Sequence, residues 1–228
     1  SHRISLEKIQ RIRVVGGGKA ACGMTHALWN ILGNRIETGI VATHDNSENR
    51  SWNNGTVRII KSSHPLPDES SLFAANQVLS FAADLTENDL LIVLISGGAS
   101  SLLALPAAGL SLKDKQCVTS ELLLSGADIK MLNIVRKHLS AIKGGRLALE
   151  ASPAQVVSLI LSDVADDDLD TIGSGMTAPD SSTYDDALAC LNNLNLTKRI
   201  PETVISHLEN GASGSISETC KPNNPVFE

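Results

Sequence analysis

The segment Ser96-Gly97-Gly98-Ala99-Ser100-Ser101 places two glycines among three serines, directly after the apolar run at 90–95. That run has no alternation, so it reads as a strand buried on both faces, the habit of a parallel sheet. Ligands of parallel α/β sheets bind outside the carboxyl ends of the strands. Small residues there let backbone N–H groups approach an anion, and serine hydroxyls add donors. Ser96, Gly97, Gly98, Ser100 and Ser101 are therefore candidates to hold phosphate.

Four other groups could act with this loop. Lys19 follows Val14-Val15-Gly16-Gly17-Gly18, a strand running into glycines and then a helix. A cation at a helix N-terminus opposes the helix dipole, and an anionic ligand would offset that cost. Arg13 and Ala20 stand where a P-loop needs Gly and Ser or Thr. The dinucleotide pattern fits at Gly16, Gly18 and Ala21, but the ribose-binding acid it needs is poorly placed, with Glu37 too early and Asp45 too late. His64 lies in Ser63-His64-Pro65-Leu66-Pro67-Asp68, a stiff proline loop after a strand, with Asp68 suited to cap the next helix. Arg136, Lys137, His138, Lys143 and Arg146 form a cationic cluster in an acidic chain. Arg136, with Ser140 on the same helix face, and Lys143 suit a carboxylate or phosphate. A plain solvated helix would avoid the Gly144-Gly145 pair, which costs about 1 kcal/mol per glycine. Asp163 is the first of several aspartates after the apolar run at 156–161. Magnesium takes one or two carboxylates plus water and phosphate oxygens, so Asp163 is the candidate metal ligand and catalytic partner. Asp167, Asp168 and Asp170 read as ordinary helix-start acids.

The elements that must position these residues alternate. Strands are expected at 11–15, 39–43, 56–60, 90–95 and 156–161, the last buried on both faces. Helices are expected at 19–32, 68–85, 112–124, 129–139, 142–151, 183–194 and 201–208, with Thr183 as an N-cap. Residues 45–55 read as a polar surface loop. This order predicts a parallel sheet covered by helices on both faces. The helical pattern fails from Asn210 onward, so 210–228 reads as a linker.

With 228 residues the chain can bury a sizeable core. A net charge of −6 and 3% aromatic residues argue against a nucleic-acid surface. No 18-residue apolar span argues for a membrane. The four cysteines form no CxxC pair, so the expectation is a reduced, soluble, cytoplasmic protein.

Taken together, the motifs resemble the class II glycerate 2-kinases, a family also labelled hydroxypyruvate reductase. The resemblance rests on Gly18-Lys19-Ala20-Ala21, His64-Pro65-Leu66-Pro67-Asp68, Ile95-Ser96-Gly97-Gly98-Ala99-Ser100, the stretches 132–140 and 143–147, and Leu161-Ser162-Asp163-Val164, in that order. It implies an α/β, Rossmann-like three-layer sandwich with a mainly parallel sheet, the amino-terminal domain of a two-domain enzyme. Residues 1–209 would form that domain, and 210–228 would lead to a second. It implies transfer of the ATP γ-phosphoryl group to glycerate, with Mg2+, and Lys19 as a catalytic lysine. The expected partners are glycerate and, at most, a second copy in a homodimer. Asp166 and Met176 depart from the family's glycine and proline, and Ala99 from a third loop glycine. The family's cleft also uses an arginine from its second domain, so little turnover is expected of these residues alone. Two alternatives stay open: an NAD(P)H-dependent hydroxypyruvate reductase, and a degenerate fragment that binds without turnover.

Overall fold

The computed structural model describes residues 4–44, 56–164 and 167–227. Five strands form one sheet: β1 (Ile12–Gly17), β2 (Ile36–Thr43), β3 (Val57–Lys61), β4 (Leu90–Ser96) and β5 (Gln155–Leu161). The spatial order is β3-β2-β1-β4-β5. Every pairing is parallel, with Val15 opposite both Ile40 and Val93. The α/β class and the parallel sheet expected from the alternating pattern are both present.

Neighbouring residues of a strand point to opposite faces, so one sheet seeds two cores. Val15, Ile40, Val93 and Ile95 pack under α2 (Glu69–Ala82) and α6 (Arg146–Ala151). Val14, Val41, Ile92 and Leu94 pack against α1 (Ala21–Leu32) through Ala21 and Leu28. Beside this sandwich, α4 (Leu112–Leu124), α5 (Ile129–His138), α7 (Tyr184–Asn193) and α8 (Glu202–Ala212) share a third core. It contains Val118, Leu122, Val135, Tyr184, Leu191, Val204 and Leu208. Thr183 caps α7 by accepting from the Asp186 N–H, as expected.

Four expectations shift. The β5 strand lies at the sheet edge, so it is not doubly buried: Leu159 is 41% and Leu161 55% exposed. The helix expected from residue 142 starts only at Arg146, because Gly144 and Gly145 have φ of 59° and 78°. The serine loop contains a short helix, α3 (Ala99–Leu102), that a run of small residues did not suggest. Helix α8 continues to Ala212, and the segment after it folds back: Thr219 and Cys220 are buried, and the Cys220 N–H donates to Gly144 O. The loop expected at 45–55 and the substitution at Asp166 fall outside the described residues.

Candidate active site at the carboxyl ends of the strands

The chain runs outward from β1 to β3 on one side, then crosses back to β4 on the other. The order therefore reverses between β1 and β4, where open α/β sheets bind ligands. Lys19 stands just past β1 and Gly97 just past β4, and the Lys19 N–H donates to Gly97 O at 2.9 Å.

Close approach at this seam explains the glycines. A Cβ on Gly16 would lie 2.0 Å from Leu94 O, and one on Gly18 would lie 2.0 Å from Ser96 Oγ. Both residues have φ of 146°. The pattern that mimics a dinucleotide fingerprint is thus required by the packing of β1 on β4. Ser96 is buried, and its Oγ accepts from the Ala20 N–H at 3.0 Å. It braces the start of α1 and does not line the crevice, contrary to the expectation of a ligand contact.

A crevice of about 220 Å³ opens beside this seam. His64, Gly97, Gly98, Ser100, Ser101, Arg136 and Asp163 line it. The Asp163 carboxylate rests over Gly97: a Cβ there would meet Oδ2 at 2.0 Å. The His64 ring lies over Gly98, where a Cβ would meet Cδ2 at 2.8 Å and Lys19 Cε at 3.5 Å. Burial, then the neighbouring Lys19, pushes the His64 pKa below its usual value. His64 thus offers a hydrogen-bonding ring beside Lys19. On the other side of His64 lies a cavity of about 440 Å³ lined by His44, Lys61, Ser62 and Ser63.

The cationic cluster divides. Arg136 reaches the crevice, and burial lowers its pKa from the usual value. Lys143 does not line it. Its buried ammonium donates to Ser100 O at 2.9 Å and Leu103 O at 3.2 Å, holding the serine loop from behind. The expected substrate contact is therefore absent here. Burial drives the Lys143 pKa well down, and that of Lys115, which donates to Leu105 O, to about 7. Lys137 is buried between two acids, 2.5 Å from Asp170 Oδ1 and 2.7 Å from Asp180 Oδ1. Ser140 does not share a helix face with Arg136, because α5 ends at His138; its Oγ donates to Leu105 O instead. Asp68 is the N-cap of α2, as expected.

Asn133 and Ser174 also line the crevice, and neither was expected there from the sequence. Asn133 belongs to the stretch 132–140, and Ser174 sits in Ile172-Gly173-Ser174-Gly175. Ser174 is fully buried with φ of 59°, between Gly173 and Gly175, both at 61°. A left-handed non-glycine costs about 1–3 kcal/mol, and such strain gathers at functional sites. The mixture of glycine and serine at 173–175 was the available signal.

Comparison with known proteins then gives this geometry a family. Residues 1–209 match DUF4147, described as a domain of unknown function. The chain belongs to that family. It is 40% identical over 215 residues to the glycerate 2-kinase of Pyrococcus horikoshii, covering 94% of this chain and 48% of that protein. A protein of Agrobacterium vitis with a hydroxypyruvate reductase name is 44% identical over 203 residues, covering 89% of this chain and 51% of that one. The crystal structure of the glycerate kinase of Thermotoga maritima superposes with a TM-score of 0.84 at 41% identity, over 93% of this chain and 49% of that one. The resemblance read from the motifs is borne out. The chain spans about half the length of the relatives it matches.

Proposed function

We propose that this chain carries the amino-terminal half of the active site of an ATP-dependent glycerate 2-kinase. The observation that carries the reading is the crevice itself. It gathers His64, the Gly97-Gly98 loop, Ser100, Ser101, Arg136 and Asp163 from four separate segments at the topological switch point. The relatives named glycerate 2-kinase support the substrate. Phosphoryl transfer needs positioning and charge neutralisation more than covalent chemistry. In the reaction, O2 of glycerate bonds to the γ-phosphorus, the bond from that phosphorus to the β–γ bridging oxygen breaks, and the hydroxyl proton is released. ADP and 2-phosphoglycerate result.

Lys19 and Arg136 supply positive charge for the phosphates or the glycerate carboxylate. Glycine at 97 and 98 leaves room for the Asp163 carboxylate and the His64 ring to lie directly over the loop. Asp163 fits magnesium: its carboxylate faces the crevice, and magnesium needs only one or two carboxylates beside water and phosphate oxygens. Among the described residues no group of three or more His, Cys, Asp or Glu could make a full metal cage. Bound magnesium would neutralise charge on the transferring phosphates. Lys143 supports the loop from below. In this reading these residues form the amino-terminal domain of a two-domain enzyme, and the segment after α8 packs back onto that domain through Thr219 and Cys220. Among the described residues no helix is long and apolar enough to cross a membrane. The free cysteines suit a reducing cytoplasm.

Calorimetry with Mg·ATP, set against nicotinamide fluorescence, tests this function. Binding of Mg·ATP, weakened at least tenfold by Lys19→Ala, is expected. Binding of a nicotinamide cofactor without binding of ATP would refute it.

A further inference from the structure

The hydroxyl protons around the crevice can be counted. Ser100 Oγ lies 2.9 Å from Ser174 Oγ, and Ser174 Oγ donates to Asn133 Oδ1 at 2.9 Å. Asn133 Nδ2 donates to Thr171 O at 3.5 Å. The amide cannot be turned over, because Oδ1 would then face the Thr171 carbonyl, acceptor against acceptor. A serine hydroxyl has one proton and two lone pairs. Ser174 spends its proton on Asn133, so it must accept from Ser100. The Ser100 proton is thereby committed inward, and toward the crevice that Ser100 lines its oxygen has only accepting capacity left. Ser101 follows the same rule, since its Oγ donates to Pro65 O at 2.7 Å. The two serines that looked like phosphate donors are both set as acceptors.

A phosphate oxygen or a carboxylate gains nothing from an acceptor. A ligand hydroxyl does. We propose that Ser100 is a specificity-determining residue that accepts the hydrogen bond of the substrate's non-reacting hydroxyl, with Ser174 and Asn133 as positioning residues. The inference deepens the kinase reading and rests on it. The reacting hydroxyl gives up its proton during transfer, and a neutral serine with its own proton in place cannot take that proton up. Ser100 therefore suits the hydroxyl that stays protonated, the one on C3 of glycerate. Thr171 O fixes the Asn133 amide, and the amide sets the direction of the chain of bonds; Ser174, buried, is held beside it. The site then favours a dihydroxy acid over a monohydroxy acid of equal charge.

The test is the ratio of affinities for glycerate and lactate, which lacks the C3 hydroxyl, measured by calorimetry on the whole chain with ATP and magnesium present. Wild type is expected to prefer glycerate about five- to tenfold, the worth of one neutral hydrogen bond. Ser100→Ala is expected to bring the ratio close to one by weakening glycerate alone. Ser174→Gly suits the local φ and removes the hydroxyl that orients Ser100, so it is expected to lower the ratio as well. A merely structural role would weaken both acids in parallel and leave the ratio alone. An unchanged ratio in Ser100→Ala, or equal binding of the two acids by wild type, overturns the inference and leaves the kinase reading standing. Binding of Mg·ATP with no binding of either acid overturns both.

Discussion

Replacement of Gly97 by alanine tests the placement of Asp163 without touching its chemistry. Gly97 has no positive φ, so alanine adds no backbone strain. The new Cβ would lie 2.0 Å from Asp163 Oδ2 and 2.7 Å from Cγ, where ordinary contact begins near 3.4 Å. The carboxylate must therefore retreat by about 1.4 Å. Asp163 is exposed and its side chain can swing away, so the fold should lose no more than about 1 kcal/mol. Magnesium coordination tolerates far less than that displacement. The loss of one charge-assisted contact is worth about 1.5–3 kcal/mol, or roughly ten- to a hundredfold in affinity. Calorimetry of ATP with and without magnesium reads it directly: Gly97→Ala should lose most of the magnesium-dependent increment, and Asp163→Asn should lose as much. The double variant should lose no more than either single one, since both act through one carboxylate. An unchanged magnesium increment in Gly97→Ala would refute the role of Asp163.

Other consequences follow from buried charge and close packing. Lys137→Met leaves fully buried Asp180 without its cation and should cost about 3–5 kcal/mol in chemical denaturation, with Lys137→Met/Asp180→Asn recovering part of it. Lys115 has its folded pKa pushed down to about 7 from 10.5, so the unfolded chain binds the extra proton between those values. Its contribution makes stability rise with pH through that window, by at most about 1.4 kcal/mol per pH unit. Denaturation series at pH 7 and 9 should show a smaller rise for Lys115→Met than for wild type. Gly16→Ala drives a Cβ to 2.0 Å from Leu94 O at a φ of 146° and should cost about 3 kcal/mol or more in thermal melts.

The parts of the site that the sequence could show are local ones. The run at 90–95 is apolar at every position, and only a central strand buries both faces, so β4 and the loop after it could be placed. The run at 156–161 is nearly as apolar, broken only by Ser158, yet β5 lies at the edge with Leu159 and Leu161 exposed, because no local pattern says which strand ends the sheet. Lys19, His64, Gly97 and Asp163 each come within three residues of a strand's carboxyl end, and a parallel sheet brings all such positions to one edge. Cations on one stretch of chain look alike in sequence. Whether each reaches solvent, a carboxylate or a carbonyl depends on distant segments. Arg136 faces the crevice, Lys137 meets Asp170 and Asp180, and Lys143 turns under the serine loop. Serine is harder still. Its residue type permits donation or acceptance, and only the partners of Ser96, Ser100 and Ser101 decide which.

A crystal structure of the chain with a non-hydrolysable ATP analogue, magnesium and glycerate tests the central claim most directly. Phosphate oxygens are expected within hydrogen-bonding distance of Lys19 and of the backbone at Gly97 and Gly98, with magnesium on Asp163. A nucleotide bound elsewhere on the fold, with the crevice lined by Gly97, Gly98 and Asp163 left to solvent, would refute that placement.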